Sequence, residues 1–377
     1  MNKETIPHGL TFAPFSDGHD DGQEPTTTLT QLISDFDTKG PSAMAEIISS
    51  VAAAGQPFDH LVCNNIIPWA PRVANAHGIK SSLLWIMSAT ISDIFYYYFN
   101  GYQGLISDSI NNPTVPIELP GLPQLTTADL PTFLLPSHPK ELEFVIGNLK
   151  GQFGDIKTPL RILVNTFNEL EVESIRAIEK IEYYPIGPLI PSEFLEGKDS
   201  QSNSLGSDFF KKPEEIAAGL LESRRPFLWV IRDSEQAGSL SKIEELKKHG
   251  MIVSWCSQVV VLSHQAVGCF VMHGGWNSTV ETLVAGVPAV VFPQWSDQGT
   301  NAKMVEDVWR TGVRVRRREG DGVVKGKEIE RCVEFVMGDE DIKRNAEKWR
   351  KLAREALSDG GSSTVNLQAF LNDVCNN

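Results

Sequence analysis

Short bounded apolar runs alternate along this chain with stretches of helical period. That alternation predicts parallel strands separated by covering helices. Strands are predicted at Gly9–Phe15, Phe58–Cys63, Ser81–Ile86 and Arg161–Thr166, and later at Pro226–Ile231, Met251–Ser254, Gly268–Met272, Ala289–Phe292 and Gly312–Val315. Helical patterns fill the intervals. One runs from Leu29 to about Ala54, with Leu29, Leu32, Ile33 and Phe36 on one face and a break at Gly40-Pro41. Others cover Pro68 toward Ala76, Ser92–Phe99, Glu141–Lys150, Glu169–Lys180, Pro213–Glu222, Ala302–Trp309, Lys327–Met337, Asp341–Leu357 and a last stretch through Leu371.

Prolines at 120, 123, 131 and 136 interrupt any ladder between Ile117 and Pro136, so that stretch reads as an ordered loop. Tyr184-Pro185-Ile186-Gly187-Pro188 and the Ser-, Gly- and Asp-rich residues up to Asp208 divide the chain. The expected organisation is a first domain over 1–187, a linker over 188–208, a second domain over 209–360 and a terminal helix over 361–377. The fold class is α/β, with two similar doubly wound halves.

The formal net charge of -14 disfavours nucleic acid or an anionic membrane surface as a partner. The basic knot Arg314-Val315-Arg316-Arg317-Arg318 reads as a solvated or salt-bridged face. Five scattered cysteines without metal-ligand spacing read as reduced thiols. The acidic loop Asp17–Gly22, with His19, reads as a turn rather than a metal site. With no targeting segment and no long apolar span in view, a soluble, cytoplasmic monomer is expected.

Candidate chemistry concentrates between Trp255 and Gln298. The strand ending at Met272 empties through His273-Gly274-Gly275 onto a helix that Asn277 and Ser278 are suited to start. Unpartnered N–H groups and a positive dipole make such a helix start an anion cradle. Ser278 and the backbone would hold a diphosphate, and His273 would add a donor. Glu281 lies one turn further along, four residues from Asn277, where a carboxylate accepts from ribose hydroxyls. Trp255 would stack on a base and Gln258 pair with a uracil-like edge. The acid and amide Asp297-Gln298 would hold sugar hydroxyls. At the strand ends of the first domain, Asn64, Asn65, Trp85 and Tyr96-Tyr97-Tyr98 are pocket candidates. Core or surface packing is the competing reading of the tyrosines.

Trp255 to Gln298 resembles the signature box of plant secondary-metabolite UDP-glycosyltransferases, HxxxGxFxxHxGWNSxxExxxxGVPxxxxPxxxDQ preceded by tryptophan, from its first residue to its last. The phrases Val164–Glu171, Pro185–Pro188, Pro226–Arg232 and Gly360–Ser363 agree with it. Ile6–Gly18 and Leu83–Phe99 are most similar to the branch of anthocyanin 5-O-glucosyltransferases and crocetin glucosyltransferases. The resemblance implies the GT-B fold, two Rossmann-like domains facing a cleft, with the last helix returning to the first domain. It implies inverting, metal-independent transfer of glucose from UDP-glucose to a small hydrophobic acceptor. By position, Trp255 would stack on uracil, and Gln258 and Glu281 would face the ribose. His273, Asn277 and Ser278 would hold the diphosphate; Trp276, Asp297 and Gln298 would contact glucose.

Two departures stand out. The family's first strand, with the loop carrying a general-base His, precedes the region where this chain opens, and Asn64 falls near the position of the Asp that orients that base. The family's first donor-domain strand would also lie before Pro213, where Phe209-Phe210-Lys211-Lys212 leads straight into the helix. A truncated enzyme with impaired transfer is therefore expected, or a nucleotide-sugar-binding chain without catalysis. A dinucleotide oxidoreductase is disfavoured because no GxGxxG follows a strand.

Overall fold

The first unit is built on four parallel strands, β1 (His60–Asn64), β2 (Lys80–Trp85), β3 (Leu160–Val164) and β4 (Ile181–Pro185), hydrogen-bonded in that order. The structure is a computed structural model that describes residues 9–16, 19, 28–136, 143–157, 159–190, 213–231, 240–318 and 323–376. Strands buried on both faces need apolar residues at successive positions, and Ile162, Leu163 and Val164 on β3 are all buried. The core they enter holds Trp85, Ile91, Phe95, Ile106 and Phe153.

Several expectations are corrected here. Gly9–Phe15 is not a strand; β1 forms the sheet edge, and Leu10, Phe12 and Phe15 remain 50%, 60% and 40% exposed. Without a ladder to join, extended backbone has nothing to fix it as sheet. Gly40-Pro41 does not break the first helix: α1 runs from Leu29 to Ala53 with Pro41 inside it. Packing outweighs the lost N–H. At Gly40 a Cβ would lie 2.3 Å from the Trp69 ring, so glycine permits the close approach of α1 to the following segment. The helix expected over Glu169–Lys180 is only Val172–Ala177, and β4 follows it, taking in Tyr184 and Pro185 of the expected boundary. Trp85 is fully buried and donates its indole N–H to the Ser88 carbonyl at 2.8 Å, so it is core rather than pocket. Tyr97 is buried too, its hydroxyl donating to the carbonyl of Pro120 at 2.9 Å.

The second unit holds two parallel sheets among the described residues. One pairs β5 (Phe227–Val230) with β6 (Gly250–Val253); the other orders β7 (Phe270–Met272), β8 (Ala289–Val291) and β9 (Gly312–Arg314). They share one core. Trp229 of β5 and Val271 of β7 both pack against Ile216, Val290, Ile329 and Val333. Arg225, just before β5, binds Glu334 at 2.7 Å, and both charges act on the Cys269 thiol just before β7. The expected omission at Phe209–Lys212 lies outside the described residues.

The two units are tied at several points. The buried Arg314 guanidinium binds Asp129 at 2.8 Å and donates to the Gly299 carbonyl at 2.6 Å. Two arginines of the basic knot are thus salt-bridged, since Arg316 also binds Glu306 at 2.8 Å. The terminal helix, Ser362–Asn376, lays Phe370 against Leu163 and Tyr184 of the first sheet. All five cysteines are free thiols.

Candidate functional site

β7 delivers the chain to His273, and Gly274 turns it with φ of +87°. The helix that follows runs from Trp276 to Ala285, with Gly275 as its N-cap. This corrects the expected start by one or two residues. A glycine cap leaves the helix start without a side-chain capping bond, so its first N–H groups remain available to an anion. Gly275 also leaves room for the imidazole: a Cβ there would sit 2.4 Å from Nε2 of His273. The imidazole therefore lies directly against the helix start. Burial lowers its pKa to about 4, so it is a neutral ring at physiological pH.

One turn into the helix, Gln258 joins the two polar side chains. Its amide Nε2 donates to Oγ of Ser278 at 3.1 Å and to Oε2 of Glu281 at 2.5 Å. Burial raises the Glu281 pKa, and the Gln258 bond works against that rise. Trp255 stands three residues before Gln258, 47% exposed at the end of β6, with its indole open to a planar ligand. Asn277 is exposed. The structure thus joins Gln258, Ser278 and Glu281 by hydrogen bonds, with Trp255 beyond the end of β6 and His273 at the end of β7 beside Gly275.

Trp276 is placed differently from its neighbours. Its side chain is buried against Trp309 at 6.1 Å between ring centroids, and its indole N–H donates to the Asn165 carbonyl at 2.7 Å. The side chain is spent on that tie between units, so what it offers a ligand is the backbone N–H of the helix start.

Asp297 and Gln298, the N-cap and first residue of the short helix Gln298–Lys303 that follows β8, are buried, 7% and 3% exposed. Gln298 Oε1 accepts from the backbone N–H groups of Gln294 at 2.7 Å and Trp295 at 3.1 Å. Asn301 donates Nδ2 to Asp297 at 2.7 Å and to the Gly274 carbonyl at 2.9 Å, linking this loop to the glycine turn. Desolvation pushes the Asp297 pKa up to about 6, with the Asn301 bond opposing it.

In the first unit Asn64 caps its own turn, Oδ1 accepting from the Ile66 N–H at 3.0 Å. His19 pairs with Asp35 at 3.1 Å, and His60 with Ser82 at 2.9 Å. Among the described residues no group of His, Cys, Asp and Glu is arranged to hold a metal, and no helix is long and apolar enough to cross a membrane. Sequence reasoning overlooked Asn165, Asn301 and Thr132 as parts of the site's frame. Asn165 lay in a quoted phrase, but nothing local marks an asparagine as the meeting point of two units.

Residues 201–356 match the model of the family described as UDP-glucoronosyl and UDP-glucosyl transferase. The chain is 45% identical to crocetin glucosyltransferase, chloroplastic, from Gardenia jasminoides, over 98% of this chain and 87% of that protein. It is 44% identical to an anthocyanidin 3-O-glucoside 5-O-glucosyltransferase from Verbena hybrida, over 97% and 87%. The crystal structure of Os79 from O. sativa in complex with UDP superposes with a TM-score of 0.81 at 32% identity, covering 98% of this chain and 91% of that one. Alignment with the Gardenia protein spans 414 positions against the 377 residues here, so at least 37 of its positions have no counterpart within the aligned span. The structural neighbours are two-domain GT-B enzymes, and this α/β chain of parallel sheets belongs with them to the UDP-glucuronosyl and UDP-glucosyl transferase family.

Proposed function

We propose that this chain binds UDP-glucose at the mouth formed by Trp255, Gln258, His273, Ser278 and Glu281, as the donor of a glucosyl transfer. The acceptor class is a small hydrophobic plant metabolite with a hydroxyl or carboxylate, of the flavonoid, anthocyanin or crocetin kind. The observation that carries this reading is the bridge from Gln258 to Ser278 and Glu281. It sets a carboxylate, an amide and a hydroxyl one turn above an uncapped helix start, a spacing suited to a ribose beside a diphosphate. Uracil would lie on Trp255. Trp276 contributes its backbone N–H, and Asp297 and Gln298 face the sugar.

Transfer by this chain is slow in this reading. A general base is worth roughly 10²–10⁴-fold, and Asn64, near the expected position of the carboxylate that orients such a base, carries no carboxylate and accepts from the Ile66 N–H at 3.0 Å. An acceptor already ionised, such as a carboxylate, loses least. A second reading, donor binding without catalysis, rests on the same Gln258 bridge, which lies wholly within the second unit.

Calorimetric titration with UDP and UDP-glucose tests donor binding, and radiolabelled glucose transfer to flavonoid and carboxylate acceptors tests catalysis. Donor binding with slow transfer, faster to carboxylates, is expected. Absence of heat with either nucleotide defeats both readings; rapid transfer to a flavonoid hydroxyl defeats the claim of an impaired base.

A further inference from the structure

The segment that carries Asp297 and Gln298 is held from within the second unit by Gln298 and Asn301, but its turn at Ser296 is held from the first. Ser296, directly before Asp297, is a non-glycine residue at φ of +59°, a region L-residues seldom occupy without support. That support comes from the first unit. The Thr132 N–H donates to the Ser296 carbonyl at 2.9 Å, and the Ser296 N–H donates to Oγ1 of Thr132 at 2.8 Å. Beside this reciprocal pair, the Phe133 ring meets Trp295 edge-on at 6.1 Å. On the far side of the loop, Thr300 donates its hydroxyl to the Asp129 carbonyl, and Gly299 lies so close to Ala128 that a Cβ would come within 2.6 Å of its carbonyl oxygen. The Pro-rich segment of the first unit thus grips the loop at both ends of the Asp297-Gln298 pair.

We infer that Thr132 is a positioning residue for the sugar half of the donor: its hydroxyl fixes Ser296, and through Ser296 it orients Asp297 and Gln298. The inference rests on the proposed donor site. Its consequence is that the first unit, through a residue that need not touch the nucleotide, sets preference for UDP-glucose over UDP. Losing the Thr132 hydroxyl leaves the Ser296 N–H without its acceptor and frees the strained residue to relax. The UDP mouth, built on β6, β7 and the helix from Trp276, keeps its own bonds.

The test is titration of the full chain with UDP and with UDP-glucose, for the unaltered protein and for Thr132→Val, Thr132→Ser and Phe133→Leu, with melting temperatures measured alongside. Thr132→Val should lose about tenfold in UDP-glucose affinity while UDP stays within about twofold. Thr132→Ser, which keeps the hydroxyl, should restore the preference, and Phe133→Leu should lower it by a smaller factor. An unchanged ratio of the two affinities in Thr132→Val overturns the inference, as does an equal loss of both ligands with a lowered melting temperature. If the unaltered chain binds neither nucleotide, the donor-site reading itself fails and takes this inference with it.

Discussion

Trp276 donates its indole N–H to the backbone carbonyl of Asn165 at 2.7 Å, and the same asparagine's Oδ1 accepts from the Leu189 N–H at 2.7 Å. One residue at the end of β3 therefore anchors both the first turn of the donor helix and the start of the segment leading away from the first unit. Trp276→Phe keeps the buried ring and orphans the carbonyl, and should cost about 1–3 kcal/mol in urea denaturation. Loss of the whole side chain in Trp276→Ala should cost about 3–5 kcal/mol. Equal stability of the Phe variant and the unaltered protein would show that the bond contributes nothing.

Gln258, Ser278 and Glu281 form one polar unit, so their effects on UDP binding should not add. Gln258→Ala and Glu281→Gln should each weaken UDP by about tenfold, or about 1.4 kcal/mol. The double variant should lose clearly less than the product of the two. Strict additivity in a double-mutant cycle measured by calorimetry contradicts the bridge.

Two buried groups give opposite pH dependences. Asp297, raised to about 6, binds its proton more tightly folded than unfolded. Its contribution to stability is fully present below its ordinary value near 4 and is lost as pH rises through about 6. His273, lowered to about 4, contributes in the other sense: its stabilisation is present above its ordinary value near 6.5 and is lost as pH falls through about 4. Substituting Asp297→Asn isolates the first effect. The melting temperature of the unaltered chain, relative to that of the Asn variant, should decline between about pH 4 and 7; a flat difference shows that Asp297 titrates normally.

Arg314 and Asp129, 2.8 Å apart, are both buried at the seam between the units. Removing one member strands a buried charge, so Asp129→Asn and Arg314→Met should each destabilise by about 3–5 kcal/mol. The double variant should lose less than the two losses combined. A denaturation cycle that finds no coupling would place the pair among energetically idle contacts.

Local pattern carried much of this molecule. The apolar run into Met272, the glycine turn and the polar residues after it were legible as a strand, turn and helix start because these are encoded within a few residues of one another. The parallel α/β class was legible for the same reason. The strand at Ile181–Pro185 was not, since its pairing with β3 is formed across the intervening helix and a proline stands in it. Gly9–Phe15 shows the converse case, a strand-like run that finds no ladder.

The sequence by itself pointed to nucleotide-sugar chemistry, because His273, Ser278 and Glu281 lie on one strand–turn–helix unit, with Trp255 and Gln258 on the segment just before it. Only the tertiary structure decided that Trp276 faces inward to Asn165 and that the sugar loop is held by Thr132. The partners lie 111 and 164 residues apart in the chain. No period or propensity in a short window encodes such pairings. They exist because two separately folded sheets bury a common seam, and each polar group caught there must find its hydrogen-bond partner on the opposite side.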